Sequence, residues 1–211
     1  MKTMKTKIIC ILDRSPSMNS IIDEAISGFN LFLDEQKKLE TSNTDIMKII
    51  QFETKCEQVF EDVINRVEHF NEKTYRPQGY GTALYDAIGQ TIDDELDFLG
   101  KDSKNRVDKT LVVILTDGYE NSSHKYHQGL IKNMITEMEK EFGWDFIFLA
   151  ANQDAVFTAS GMGISAGKSM SWDATGDGMT AAYTSMSKAT THYRTTTDVS
   201  YDNIFDDSED K

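Results

Sequence analysis

The sequence predicts an α/β fold of the doubly wound type, with a mostly parallel central sheet of about six strands, helices on both faces and an antiparallel hairpin strand at one edge. Three observations lead to this prediction. Apolar, β-branched runs alternate with amphipathic stretches along the chain. The apolar runs lack regular polar positions, which is typical of strands buried on both faces. Two of the runs are joined by only three residues, Glu53 to Lys55, which predicts a hairpin.

The first strand and helix show how each element is predicted. Ile8 to Leu12 is an unbroken apolar run, as expected for a central strand. Residues 20–39 place apolar side chains at helical spacing, and Ser20 with Asp23 resembles a capping box. The same patterns predict the other elements in order, namely strands over 46–52 and 56–60, a helix over 83–99, a strand over 111–115, a helix over 125–141, a strand over 145–150, a helix over 153–160, a strand over 168–172 and a helix over 178–193.

Length and composition predict one domain. The 211 residues suit a single domain of moderate size, and a hydrophobic content of 39% is sufficient for a packed core. We therefore predict a single domain over residues 1–197. The remaining stretch, residues 198–211, is rich in acidic side chains and is predicted to be a disordered tail.

The charge and the N-terminus exclude some partners and compartments. A formal net charge of -13 predicts repulsion from nucleic-acid phosphates and from anionic membrane surfaces. The apolar run from Ile8 to Leu12 is shorter than the about seven to fifteen apolar residues of a signal peptide. Cys10 and Cys56 lie in no zinc-type cluster and are expected to be reduced thiols. We expect a cytoplasmic protein that binds neither nucleic acid nor a membrane.

Three segments supply oxygen ligands at one predicted edge of the sheet. Asp13, Ser15 and Ser17 alternate after the first strand, so an extended backbone would point all three to one side. Thr82 lies in a glycine-rich segment before a helix, and Asp117 follows the fourth predicted strand. In doubly wound sheets, ligands bind beyond the carboxyl ends of the strands, where the strand order reverses. These carboxylates and hydroxyls are hard donors with no His or Cys nearby, which favours Mg²⁺ or Mn²⁺ over zinc.

The charge of this ligand set predicts a cation that is open to an outside group. Mg²⁺ retains several waters and prefers few direct carboxylates. If the hydroxyls coordinate directly while the carboxylates act through water, the ion keeps most of its positive charge. An open position on such an ion would attract a carboxylate from another molecule.

The motifs resemble a known metal site. Asp-x-Ser-x-Ser, a Thr in a Gly-rich loop and a strand-ending Thr-Asp-Gly are similar to the metal-ion-dependent adhesion site of von Willebrand factor A domains and integrin I domains. The resemblance covers roughly residues 7–195, and residues 74–89 and 145–155 are similar to stand-alone A domains of bacteria and their phages. Pro16 departs from the family, where Gly is commoner, and restricts Ser15 towards extended geometry. The residues that match the five positions are Asp13, Ser15, Ser17, Thr82 and Asp117.

The resemblance implies one divalent cation per chain, touched by Ser15, Ser17 and often Thr82, with Asp13 and Asp117 frequently acting through water. It also implies a protein-interaction module, in which an Asp or Glu of a partner protein completes the coordination of the ion. Loops at this edge are expected to supply specificity. The loop residues are Gly79–Tyr80, Tyr119–Glu120–Asn121 and Asn152–Gln153–Asp154.

Two other functions stay open. The protein could be a structural component of a larger assembly with a stabilising metal, or a Mg²⁺-dependent hydrolase or phosphotransferase. The motifs supply neither a base nor a phosphate cradle beside the metal, so we predict that it is not an enzyme. The segment 166–169 resembles a P-loop, but Met162 occupies the position of its first Gly. Ser15 stands where haloacid-dehalogenase phosphatases carry a second Asp, and His124 and His127 are expected at a solvated helix start.

Overall fold

The computed structural model describes residues 4–101, 107–151, 154–196 and 205. Its strands are β1 (Thr6–Asp13), β2 (Ile46–Phe52), β3 (Cys56–Val63), β4 (Lys109–Thr116), β5 (Trp144–Ala151) and β6 (Ser169–Trp172). Its α-helices are α1 (Ile22–Lys37), α2 (Leu84–Lys101), α3 (Gln128–Phe142), α4 (Ala155–Gly161) and α5 (Gly176–Thr195). Each predicted strand and helix has a counterpart, so the predicted succession of elements is confirmed.

The strands form a sheet with the order β3-β2-β1-β4-β5-β6. Neighbouring strands are parallel, except that β2 and β3 form an antiparallel hairpin at one edge. From β1 the chain adds β2 and β3 on one side of the sheet. It then returns to the centre with β4 and adds β5 and β6 on the other side. The strand order reverses between β1 and β4, where Leu12 pairs with Leu115. This topology confirms the predicted doubly wound fold.

Helices cover both faces of the sheet. On one face α1 and α5 pack against the strands, with Phe29 and Tyr183 in the same buried cluster as Cys10. On the other face α2, α3 and α4 form a second cluster, in which Ile88 lies with Ile11 of the same central strand. Because successive side chains of a strand point to opposite faces, each residue of β1 enters one core or the other. This arrangement explains why the run has no regular polar positions.

The connection from β1 to α1 differs from the prediction. Pro16–Ile21 forms a 3₁₀-helix, and α1 begins after Ile21, whose side chain makes no capping hydrogen bond. The Ser20 hydroxyl instead donates to the carbonyl of Ser17 at 3.2 Å. The predicted capping box of Ser20 and Asp23 is therefore wrong, because the chain is already helical when it reaches Ser20.

The predicted domain boundary at residue 197 and the predicted disorder of residues 198–211 lie outside the described residues, apart from Phe205. The Phe205 N–H donates to the carbonyl of Gly167 at 3.2 Å, and its ring packs against the cluster that contains α1 and α5. Within the described ranges, no helix combines the length and the apolar character that crossing a membrane requires.

Candidate metal centre

The candidate centre lies at the reversal of strand order, where β1 and β4 end side by side. Asp13 is the last residue of β1, and Thr116 and Asp117 stand at the end of β4. Parallel pairing of the two strands brings residues that are far apart in sequence to one edge of the sheet. This is the edge that the strand-end motifs predict.

Asp13 lies at the base of the centre and is fully buried. Its Oδ1 accepts a hydrogen bond of 2.7 Å from the Ser15 N–H, and its Oδ2 accepts one of 2.5 Å from the Thr116 hydroxyl. Burial raises the pKa of Asp13 to about 6, although the Thr116 and Ser15 donors lower it. Each carboxylate oxygen is therefore engaged by the protein below the surface.

Ser15, Ser17 and Asp117 form a chain of oxygens above Asp13. The hydroxyl oxygens of Ser15 and Ser17 lie 3.0 Å apart, and the Ser17 hydroxyl donates to Asp117 Oδ1 at 2.7 Å. Ser15 has extended backbone angles of φ -61° and ψ 162°, as expected before Pro16. Burial raises the pKa of Asp117, and the Ser17 hydroxyl opposes this shift. Ser15 and Asp117 are buried while Ser17 is exposed, so the chain of oxygens reaches solvent at its middle residue.

Thr82 approaches the same centre from the segment before α2. Its N–H donates to Asn121 Oδ1 at 2.8 Å, and its carbonyl accepts from the Asn121 N–H at 3.0 Å. A Cβ atom on Gly118 would lie 3.4 Å from Thr82 Oγ1 and 3.9 Å from Ser17 Oγ. Both hydroxyls therefore face the space beside Gly118, and the structure brings together the five residues that the sequence predicts as ligands.

This donor set fits a small divalent cation. Octahedral oxygen ligands at about 2.0–2.1 Å from Mg²⁺ lie about 3 Å from one another along an edge of the octahedron. The oxygen–oxygen distances of 3.0 Å and 2.7 Å along Ser15, Ser17 and Asp117 are close to this spacing. Among the described residues no group of three or more His, Cys, Asp or Glu side chains could hold a metal ion. A cation at this edge would therefore depend on the hydroxyls.

Comparison with known proteins gives structural matches. No protein-family model and no curated protein matches the chain. Proximal thread matrix protein 1 from the mussel byssus, with a zinc-occupied MIDAS motif, aligns with a TM-score of 0.64 and 14% identity over 88% of this chain and 48% of its own. The ArnB paralog VWA2 from Sulfolobus acidocaldarius aligns with a TM-score of 0.57 and 16% identity over 88% of this chain and 45% of its own. The pilus adhesin SpaC from Lactobacillus rhamnosus GG, in an open conformation, aligns with a TM-score of 0.61 and 14% identity over 89% of this chain and 30% of its own.

The chain has the von Willebrand factor A fold. The matches cover nearly all of this chain, whereas it spans less than half the length of the three structures. Low identity means that the alignments establish the arrangement of the sheet and helices, and function has to be argued from the site.

Three residues that the sequence did not predict as metal ligands hold the candidate ligands in place. Thr116 bonds Asp13, the buried Tyr75 hydroxyl donates to the Asp13 carbonyl, and Asn121 fixes the backbone of Thr82. Thr116 could have been found, since it ends a strand beside Asp117. No sequence signal indicates Tyr75, because its contact depends on how the segment before α2 crosses the sheet edge.

The loops around the candidate metal centre agree only in part with the prediction that they supply specificity. Tyr80 is 100% exposed and Tyr119 is 61% exposed, so both are open to a partner. Glu120 is instead used internally, because its carboxylate accepts from the Tyr85 N–H at 3.0 Å and from the Ser123 hydroxyl at 2.7 Å. The predicted rim residues Asn152 and Gln153 lie outside the described residues, and Asp154 caps α4 by accepting from the Phe157 N–H.

Two features that resembled other sites have structural roles. The Lys168 ammonium bonds Asp145 at 2.9 Å and Glu139 at 3.2 Å, so it is paired with carboxylates. His127 caps α3, where its Nδ1 accepts from the Leu130 N–H at 3.3 Å. These contacts agree with rejecting the P-loop and with placing the histidine at a helix start.

Proposed function

We propose that the protein is a metal-dependent interaction module, which holds one Mg²⁺ or Mn²⁺ and binds a carboxylate of a partner protein through it. The ligands are Asp13, Ser15, Ser17, Thr82 and Asp117. The observation that carries the proposal is the chain of oxygens from Ser15 through Ser17 to Asp117, in which the two ends are buried and the middle residue, Ser17, is exposed. A cation bound there would be accessible from outside the molecule.

The contacts of Asp13 support an ion that keeps much of its charge. Both carboxylate oxygens of Asp13 already accept hydrogen bonds from Ser15 and Thr116, which favours an indirect role through water. Neutral hydroxyls then supply direct contacts. A divalent ion with few direct carboxylates remains an attractive electrophile for an Asp or Glu from outside.

The choice of metal follows from the ligand type. A zinc-occupied MIDAS motif occurs in the mussel byssus protein, which supports a divalent cation at this place in the fold. The five residues here supply oxygen and neither nitrogen nor sulfur, which favours Mg²⁺ or Mn²⁺ when these ions are abundant.

A substitution at Thr82 tests the mechanism with little risk to the fold. Thr82→Val removes a ligand hydroxyl but keeps the backbone bonds to Asn121. We expect partner affinity to fall about ten- to a hundredfold, as for the loss of one charge-assisted contact. The partner is first captured from lysate in Mg²⁺ and identified by mass spectrometry, and its affinity is then measured with and without chelator. Thr44→Val is the matched control, because Thr44 is exposed and lies just before the amino end of β2, away from the strand ends that form the candidate centre.

The outcome separates this function from its alternatives. If the captured partner binds Thr82→Val in chelator as tightly as it binds wild type in Mg²⁺, the metal is not the contact. A structural role would then be indicated if chelator lowered the stability and left binding unchanged. We also propose that the protein is not an enzyme, and turnover of any phosphate ester that disappears in Asp13→Ala would contradict this.

We further propose a cytoplasmic location, supported by the two thiols. Cys10 and Cys56 are both free, and burial raises the pKa of Cys56 to about 11 and that of Cys10 still further above its usual value. Both thiols are therefore protonated at neutral pH, which is the less reactive form of a cysteine. Thiol counting in freshly lysed, denatured cells should find both cysteines reduced, and oxidised cysteines would contradict the assignment.

A further inference from the structure

Two exposed aromatic side chains flank the candidate metal centre. Tyr80 is 100% exposed and Tyr119 is 61% exposed, although both belong to a residue type that usually covers part of its ring. Tyrosine is enriched in the buried centres of protein interfaces, because it provides a large rigid contact area with few rotatable bonds. The two rings therefore indicate the surface that would contact a partner and discriminate between partners.

The backbone places both tyrosines next to ligand residues. Tyr80 precedes Gly81, and a Cβ on Gly81 would lie 2.0 Å from Ser122 Oγ and 2.6 Å from Asn121 Oδ1, so the two loops are in direct contact. Tyr119 follows Gly118, which lies beside the hydroxyls of Thr82 and Ser17. Each tyrosine therefore lies two residues from a candidate ligand, Thr82 or Asp117, and its ring is open to a partner.

The loops that carry the tyrosines are braced. Two hydrogen bonds join Thr82 to Asn121, at 2.8 Å and 3.0 Å. The Glu120 carboxylate accepts from the N–H groups of Ser122 and Tyr85, and thereby attaches the second loop to the start of α2. A braced loop loses little conformational entropy when a partner binds. The tyrosines can therefore contribute selectivity without a large ordering cost.

Charge determines which partners such a surface favours. The protein carries a formal net charge of -13, so its long-range field disfavours the approach of an acidic partner. The faces of tyrosine rings attract guanidinium and ammonium groups, and Arg in particular stacks on them. In a basic segment that contains one carboxylate, the carboxylate would bind the cation and the Arg or Lys side chains would stack on the rings. The positive charge of the segment would also be attracted by the net negative charge of the protein.

We propose that Tyr80 and Tyr119 select a basic protein segment, in which the Asp or Glu that reaches the cation is flanked by Arg or Lys. The inference rests on the proposed function, since the carboxylate is taken to bind the metal. It adds the composition of the partner and assigns the residues that recognise it.

A selection from short random peptides displayed on phage tests the proposal. The full chain is immobilised in Mg²⁺, and bound phage are eluted with chelator. We expect the eluted peptides to contain an Asp or Glu with an excess of neighbouring Arg and Lys. Synthetic copies should bind the double variant Tyr80→Ala and Tyr119→Ala about three- to tenfold more weakly than wild type.

Matched variants separate ring stacking from other effects. Tyr80→Phe with Tyr119→Phe keeps both rings and should keep the affinity for the selected peptides. Phe142→Ala removes an exposed aromatic side chain at the end of α3, just before β5 begins at the opposite edge, and should also leave binding unchanged. Circular dichroism confirms that each variant is folded.

Each outcome bears on one of the two proposals. Chelator-eluted peptides without an excess of Arg and Lys would overturn this inference and leave the metal-dependent function standing. Equal affinity of the selected peptides for wild type and the double alanine variant would do the same. A selection that yields no chelator-eluted peptide would contradict the metal-dependent function, and this inference would fall with it.

Discussion

The Thr116 hydroxyl donates a hydrogen bond of 2.5 Å to Oδ2 of Asp13, which joins the ends of β4 and β1 beneath the candidate metal centre. Both side chains are fully buried. The bond fixes the direction of the Asp13 carboxylate, whose other oxygen accepts from the Ser15 N–H. Thr116 is thus a positioning residue that orients the ligand segment.

Replacing Thr116 by Val should weaken both folding and metal binding. The substitution leaves a buried carboxylate oxygen without its donor, which should lower the free energy of unfolding by about 1–3 kcal/mol. Metal affinity should fall as well, because Asp13 is no longer held in one orientation. Urea unfolding and titration calorimetry with Mg²⁺ measure the two effects.

Thr110→Val is the control for this experiment, since Thr110 lies on the same strand at the other end of the sheet. It should change metal affinity little. If Thr116→Val and Thr110→Val bind Mg²⁺ equally well, the Thr116 bond has no part in positioning the ligands.

Metal binding should stabilise the folded chain, because the ligands converge only when the strands are paired. At a free Mg²⁺ concentration about a hundred times Kd, the free energy of unfolding should rise by about 2.7 kcal/mol. Asp13→Ala should abolish both the stabilisation and the calorimetric binding signal. Asp62→Ala removes an exposed carboxylate that pairs with Arg66 elsewhere and should retain both. Equal Mg²⁺ affinity in Asp13→Ala and wild type would remove the metal site from this position.

Helix α5, the last helix among the described residues, is anchored by a buried ion pair, and breaking this pair should lower the stability strongly. Arg194 Nε lies 2.9 Å from Asp45 Oδ2, with both side chains inaccessible to solvent, and the guanidinium also donates to the Gln36 carbonyl at 2.7 Å. Arg194→Met leaves the Asp45 charge buried without its partner, so the free energy of unfolding should fall by about 3–5 kcal/mol. The measurement is chemical denaturation monitored by circular dichroism.

The exposed pair of Arg66 and Asp62, at 3.0 Å, provides a matched comparison. Arg66→Met should cost less than about 1 kcal/mol, because solvent screens this pair. Losses of similar size in Arg194→Met and Arg66→Met would show that burial does not control the effect.

Asp86 should contribute to stability above acidic pH. Burial raises the pKa of its carboxyl, but the N–H groups of His124, Tyr126 and Lys125 outweigh this and lower it below the usual value. The contribution is therefore present above the unfolded pKa of about 3.9 and is lost as the pH falls through the lower folded pKa. Asp86→Asn should destabilise the protein near neutral pH, and the difference from wild type should shrink in acid.

Denaturation at several pH values below and above that range measures this difference. Asp97→Asn removes an exposed carboxylate from the same helix and controls for the change in net charge. The difference in free energy of unfolding between wild type and Asp86→Asn could instead stay constant with pH. That result would show that the carboxylate contributes through its shape and not through its charge.

The sequence predicted the elements of this fold because burial leaves a local pattern. β1 and β4 face a core on each side, so the five central residues of each strand, Ile8–Leu12 and Leu111–Leu115, are apolar. The amphipathic stripe of α2 likewise follows from one buried side. The start of α1 was predicted wrongly, since Ser20 and Asp23 have the spacing of a cap but the chain had already entered a 3₁₀-helix at Pro16.

The sequence by itself determined the strands, the helices and the ligand candidates, since strand-end residues of parallel neighbours must meet at one edge. Only the tertiary structure decided how those candidates are supported and which rim residues face outward. Asp13 and Thr116 are 103 positions apart, and their bond exists because β1 pairs with β4. Glu120 turned inward because the start of α2 offers it an N–H, while Tyr80 and Tyr119 stayed exposed. A local sequence pattern shows which residues are buried and how they are spaced. Contacts between distant segments depend on the register of the strands and on how the elements cross, which no single stretch of sequence encodes.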